Sequence, residues 1–274
     1  MEKSVVVRLS SQAAAVTLSM LAIWFGLDSF VNGSVWEGMV ISKSALVVEY
    51  CEFNNVARFF HQRMNTYSNL SYFFFGVLIL LIARYDQTHQ SAIKRQNRLE
   101  AFPALSALMG LCFIYLSFGS AFFHASLTYV GQRVDMNGTY SITLVLVTIA
   151  LYHVLHKLRL TPLAKLSWVV SLVVLIGLFL KITLLVSSAV LLPSLILALL
   201  LLIAVNYVQF RRKRSGVVAV ASLVLMVVAV KFRTLDVQKI GCDPHSLMQG
   251  HSIWHLLTAL SSVCSYSFFR FAKQ

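Results

Sequence analysis

Long apolar runs separated by short polar interruptions set the rhythm of the chain. A helix crossing the hydrocarbon core of a bilayer takes about 20 predominantly apolar residues. Seven segments meet that requirement: residues 65–84, 103–124, 134–154, 164–181, 188–209, 216–232 and 247–269. An eighth run, residues 12–31, follows Lys3 and Arg8 and reads as a retained signal anchor rather than a cleaved signal peptide. It has no clear small-x-small cleavage site, and Asp28 interrupts its end. The longest polar connections are residues 32–64 and 85–101, and Pro193 within LLPSLIL can kink its span. No repeat, low-complexity tract or linker marks a further domain. The expectation is an all-α integral membrane protein: an N-terminal hydrophobic helix over residues 1–31, then a seven-transmembrane helical bundle over residues 32–274.

Composition removes the soluble alternative. Hydrophobic residues make up 58% and charged residues 12%, against about 45–50% and about 25% in soluble domains. The net charge of +13 does not point to nucleic acid, because the basic residues lie between apolar segments rather than in one patch interleaved with aromatics. They alternate by side instead. With the N-terminus inside, Lys3, Arg8, Arg84, Lys94, Arg95, Arg98, Lys157, Arg159, Lys165, the run Arg211–Arg214, Arg270 and Lys273 fall on the inner side, fifteen basic residues against eight outside. That is the positive-inside pattern, and it puts the C-terminus in the cytoplasm. Cys112 and Cys264 lie within spans. Cys51 and Cys242 fall in outer segments, where a disulfide persists if the compartment is oxidising; sequence alone leaves both the bridge and two free thiols open.

Against this topology the ionisable residues inside spans become informative, since such residues are costly in a membrane. The second core span runs outward and ends in LSFGSAFFHASL, where Ser120 and His124 are four apart and share a helical face. After the turn LTYVGQR the third span begins with Asp135, back at nearly the depth of His124. The last span begins outside with QGHSIWH, so His251 and His255 stand one above the other in its outer half. Three imidazoles suit a zinc ion with a fourth position left for water. Asp135 could then move a proton and Ser120 could donate to a developing oxyanion. The plainer reading of the same residues is hydrogen-bonded packing between helices, and the residues by themselves leave both open. The other histidines (His61, His89, His153, His156 and His245) fall at other depths or in loops.

The motifs carry a resemblance. YCEFNN and NTYSNLSY (residues 50–55 and 65–72), GSAFFHASLTYVGQRVD (119–135) and CDPHSLMQGHSIWHLLTAL (242–260) resemble the alkaline ceramidase family, over residues 49–270. That family sits within a wider group of seven-span membrane hydrolases that also includes adiponectin-type receptors. The frame of the group is a Ser, a His four later, an Asp eleven after that, and HxxxH in the last span. Ser120, His124, Asp135, His251 and His255 match it.

The resemblance implies a zinc-dependent amide hydrolase that cleaves ceramide, a membrane lipid, to a sphingoid base and a fatty acid. In it His124, His251 and His255 are the zinc ligands, Asp135 activates water and protonates the leaving amine, and Ser120 polarises the carbonyl. It also implies a disulfide between Cys51 and Cys242, and a calcium site whose positions here read Glu49, Tyr50, Glu52, Asn54 and Gln62. One carboxylate of that set has become the neutral amide of Gln62 and one residue is inserted between its halves, which weakens the set for a hard cation. No obligate protein partner is evident. Two rivals stand beside the ceramidase reading: a hydrolase of lipid esters or other N-acyl lipids on the same frame, and a non-enzymatic seven-span receptor.

Overall fold

All the apolar segments fold as helices. The structure, a computed structural model, describes residues 1–89 and 97–271; Lys94, Arg95 and Lys273, counted above on the inner side, lie outside the described residues. The elements are α1 (Lys3–Phe30), α2 (Lys43–Leu46), α3 (Arg63–Ser68), α4 (Leu70–Thr88), α5 (Pro103–Ser126), α6 (Tyr129–Val154), α7 (Pro162–Leu185), α8 (Ser188–Gln209), α9 (Gly216–Val237) and α10 (Gly250–Arg270). The extended pairing among the described residues is two isolated bridges, Asn32 with Arg58 and Ile41 with Thr128.

Local chemistry sets the helix ends. Pro103 and Pro162 open α5 and α7, where a missing N–H costs nothing. The Thr128, Thr161 and Ser215 side chains cap α6, α7 and α9 by accepting from Gly131, Ala164 and Val218 N–H. The α5–α6 reversal is tight: Leu127 takes a left-handed φ of 53°, an uncommon conformation for a branched side chain, and Thr128 starts the next helix at once.

Among the described residues, seven helices are long and apolar enough to cross a membrane, with α3 and α4 counted as one and α1 included. The last helix, α10, is not one of them. It is the seventh member of the core bundle, but its buried face carries His251, His255, Thr258, Ser261, Ser265 and Arg270. A helix can hold that many polar groups in a membrane only where neighbouring helices cover them. It is covered by α9, α4, α6 and α3.

The rest of the bundle is built outward from α5. That helix packs on α4 and α6, α6 in turn on α7 and α8, and α1 lies on the outside of α4. A Cβ on Gly76 would sit 2.9 Å from Gly110 O, and one on Gly110 would sit 2.8 Å from Gly76 O. The two glycines therefore let α4 and α5 touch backbone to backbone, the small-residue contact common between membrane helices. The main core, which includes Met109, Phe113, Tyr140 and Ile149, draws on α4, α5, α6, α7, α8 and α10.

Polar clusters close both ends. At one end Arg270 pairs with Asp86 and, at 2.7 Å, with Glu100, all largely buried. Arg214 donates to Phe268 O and Phe269 O at 3.0 and 3.2 Å, and Asn97 to Arg270 O at 2.9 Å, so the C-terminal carbonyls of α10 are capped by side chains. At the other end, the one expected to face outward, Asp28 of α1 meets Arg58 and Arg63 at 3.0 and 2.9 Å. Cys51 and Cys242 are joined by a disulfide, with an S–S distance of 2.02 Å, and Phe53 N–H donates to Pro244 O at 3.0 Å. The segment before α3 is thereby tied to the segment before α10.

Candidate active site and metal centre

Ser120 and His124 lie one turn apart in the last turns of α5, and His251 and His255 one turn apart in the first turns of α10. The two helix ends face each other beneath the outer segment. His124, His251 and His255 are each buried, and each presents a ring nitrogen within 4.8 Å of the others'. Ring centroids are 4.9 Å apart for His124 and His251, 5.1 Å for His124 and His255, and 4.5 Å for His251 and His255. The rings are mutually inclined by 57–74°.

Hydrogen bonding decides which nitrogens are free. His124 Nδ1 lies 2.7 Å from the amide oxygen of Gln62. An amide oxygen only accepts, so Nδ1 carries the proton and Nε2 keeps its lone pair; that Nε2 is buried without a partner. His255 Nδ1 lies 2.7 Å from Ser68 Oγ, whose own hydrogen is donated to Asn65 O at 2.8 Å. His255 must therefore donate as well, which leaves its Nε2 lone pair free. His251 Nδ1 is likewise buried without a partner. Ligating imidazoles characteristically give their other N–H to an oxygen in this way, which fixes tautomer and ring orientation. Buried polar groups are otherwise almost always satisfied, so these orphaned nitrogens fit a metal ion bound by three imidazoles.

Asp135, in the second turn of α6, lies within electrostatic reach of Ser120, Tyr50, Tyr72 and Arg233. Ser120 Oγ is close enough to influence the carboxylate, but the contact falls outside hydrogen-bonding geometry, and the hydroxyl is otherwise buried without a partner. All five residues of the sequence frame thus converge, from α5, α6 and α10.

Other contributors emerge only in three dimensions. Tyr50 covers the triad from outside, its ring 4.0 Å from that of His251 and 5.4 Å from that of His124. Asp236, at the end of α9, accepts from His251 N–H through one oxygen and Cys51 N–H through the other, each at 3.1 Å. Gly250 makes that approach possible, since a Cβ there would lie 2.9 Å from Asp236 Cβ. Burial pushes the Tyr50 hydroxyl up, and it lowers the nearby His61 imidazole, which sits in the same outer segment. Ser68 stands within the NTYSNLSY block, the one sequence signal that could have pointed to it.

The residues of the calcium set occupy the same segment. Glu49 pairs with Arg233 at 3.2 Å. Glu52 accepts from Met64 N–H and Asn65 N–H at 2.6 and 2.8 Å. Asn54 Oδ1 accepts from Gln62 Nε2 at 2.7 Å.

Directly below the triad, toward the middle of the bundle, lies a cavity of about 80 Å³ between α4, α5, α6, α8, α9 and α10. Leu116, Thr139 and Thr258 line it, one turn deeper than Ser120, Asp135 and His255. Leucines from α8 and Met226 from α9 complete an apolar wall.

A family model described as Ceramidase matches residues 43–274. The chain belongs to the ceramidase family. The match takes in all of the site just described and leaves out α1. No curated protein and no solved structure matches the chain. Ceramidase membership implies a hydrolase acting on ceramide, a lipid substrate, and the apolar helices accord with an integral multi-pass membrane protein.

Proposed function

We propose that the chain is a zinc-dependent amide hydrolase working within the membrane, with His124, His251 and His255 holding the ion. The observation that carries this reading is the tautomer arrangement: Gln62 and Ser68 consume the Nδ1 protons of His124 and His255 and leave inward-facing lone pairs in a buried site. A zinc ion bound there supplies Lewis acidity and an acidified water at neutral pH.

The chain's own side chains account for the remaining work. Ser120, with an unused hydroxyl, donates to the carbonyl oxygen as negative charge develops on it. Asp135 accepts a proton from the attacking water and returns it to the departing nitrogen; water thus adds OH to the acyl carbon and H to the amine. The alkyl chains rest in the apolar cavity one turn below, which sets the amide at the level of the triad. Tyr50 and the disulfide-bound outer segment cover the site on the aqueous side and limit water entry. The centre faces the non-cytoplasmic side and the C-terminus the cytoplasm, by the distribution of basic residues.

Two measurements test the reading. Elemental analysis of purified protein is expected to give one zinc per chain, lost in the His251→Ala, His255→Ala double variant; zinc retained by that variant sinks the site. A panel of N-acyl sphingoid bases, other N-acyl lipids and glycerolipid esters is expected to release sphingoid base and fatty acid from ceramide. Faster release from esters favours the lipid-ester alternative.

A further inference from the structure

The outer segment bears on the triad through one side chain, Gln62. Its backbone N–H donates to His124 O at 2.9 Å. Its amide oxygen receives His124 Nδ1 at 2.7 Å and Asn65 Nδ2 at 3.2 Å, and its amide nitrogen donates to Asn54 Oδ1 at 2.7 Å. The orientation of this amide is dictated from the metal side. If His124 ligates through Nε2, its Nδ1–H needs an acceptor, so the oxygen of Gln62 must face inward and its NH2 must face Asn54. A carboxylate could accept on both sides; an amide cannot.

The same segment meets donors at its other oxygens. Both Glu52 oxygens take backbone N–H groups, Glu49 Oε1 takes Arg233, and Glu49 O takes Lys239 Nζ at 3.1 Å. A calcium ion requires about six to eight oxygen ligands. Here both Glu52 oxygens, one Glu49 carboxylate oxygen and the Glu49 carbonyl already accept from donors of the protein, Arg233 supplies the positive charge, and an N–H group of Gln62 is aimed into the set where an oxygen is needed. The residues present do not fit the cation.

We propose that the chain's own donors, Gln62 and Arg233, lock the outer segment onto the histidine triad in place of a cation, so that this ceramidase takes no calcium. The inference rests on the zinc reading for the direction of the Gln62 amide.

The test uses purified full-length protein equilibrated with calcium chloride at a fixed free zinc concentration. Both metals are counted per chain, and thermal unfolding is followed with and without calcium. The expected result is no stoichiometric calcium and an unchanged melting temperature, whereas Gln62→Glu, with acceptors on both sides, gains a calcium-dependent rise in melting temperature. Stoichiometric calcium in the wild type, or a higher melting temperature in its presence, overturns the inference. A folded Gln62→Glu variant indifferent to calcium overturns the assignment of the discrimination to Gln62. Protein holding neither metal overturns the zinc reading while supporting cation independence. The wild-type result stands if the variant does not fold.

Discussion

His124 and His255 each give one ring nitrogen to a partner, Gln62 and Ser68, and in the proposed site keep the other for the ion. The division of labour gives distinct expectations for each side chain. His124→Ala is expected to lower both zinc content and turnover, whereas Asp135→Ala is expected to abolish turnover with zinc retained; equal zinc loss in the two would move Asp135 into the ligand shell. Ser68→Ala removes the hydroxyl that accepts from His255 Nδ1–H and donates to Asn65 O. Loss of such a supporting partner typically weakens metal affinity about 10–100-fold, which competition with a zinc chelator would read, and unaltered affinity would show that Ser68 does not orient the ring. The clustering of His124, His251 and His255 was legible in the sequence, because helical spacing and the expected topology put them at one depth with Ser120 and Asp135. Ser68 and the inward role of Gln62 were not. They reach their histidines across 187 and 62 residues of sequence, and no local periodicity reports such a contact.

The elements that hold the site are helix ends, and their anchors are polar. The first turn of α10 is fixed by Asp236, by the close approach at Gly250 and by the disulfide just ahead of it. The segment before α3 is fixed by Glu52, whose two oxygens receive consecutive backbone N–H groups. Burial nevertheless pushes the Glu52 carboxyl up to about 7, against those hydrogen bonds and with Asp236 adding to the rise. A carboxyl raised on folding holds its proton more tightly in the folded state. Its contribution therefore favours the fold below the ordinary carboxylate range and is lost as pH climbs to about 7. The melting temperature of the wild type is expected to decline between about pH 4.5 and about pH 7 more steeply than that of Glu52→Gln. Parallel slopes would show that Glu52 does not titrate in that window. Sequence pattern found these helices and missed their limits: α1 begins at Lys3, earlier than its apolar run, and α3 and α4 together extend both ways beyond residues 65–84. Hydropathy marks where a chain can lie in lipid, while capping and packing mark where the helix stops.

At the scale of the molecule the bundle is fastened at both ends, by the disulfide and Asp236 at the end that holds the histidines and by the Asp86–Arg270–Glu100 cluster at the other. Removing one partner of a buried ion pair leaves the others uncompensated, at a cost of about 3–5 kcal/mol. Arg270→Ala is therefore expected to lower the melting temperature and to loosen the inner end of α10, as seen by hydrogen exchange; a change confined to the last residues would show that the cluster is peripheral. A glycosylation tag at the C-terminus should remain unmodified, in line with a cytoplasmic end, whereas a glycosylated tag would reverse the topology. Class and architecture were legible at this scale because twenty-residue apolar runs admit few other structures. The cavity was not, since it is formed by residues from six helices, each unremarkable within its own run.

The modest apolarity of α10 has a consequence for biogenesis. A segment bearing two histidines, an arginine and several hydroxyl groups has little drive to leave the translocation machinery for lipid by itself, and it is made after the helices that accept its polar face. Its entry therefore depends on α4, α6 and α9 being in place. The two histidines that complete the proposed site arrive with the helix least able to settle alone, so the same polarity that suits α10 for chemistry makes the formation of the site wait on assembly of the bundle.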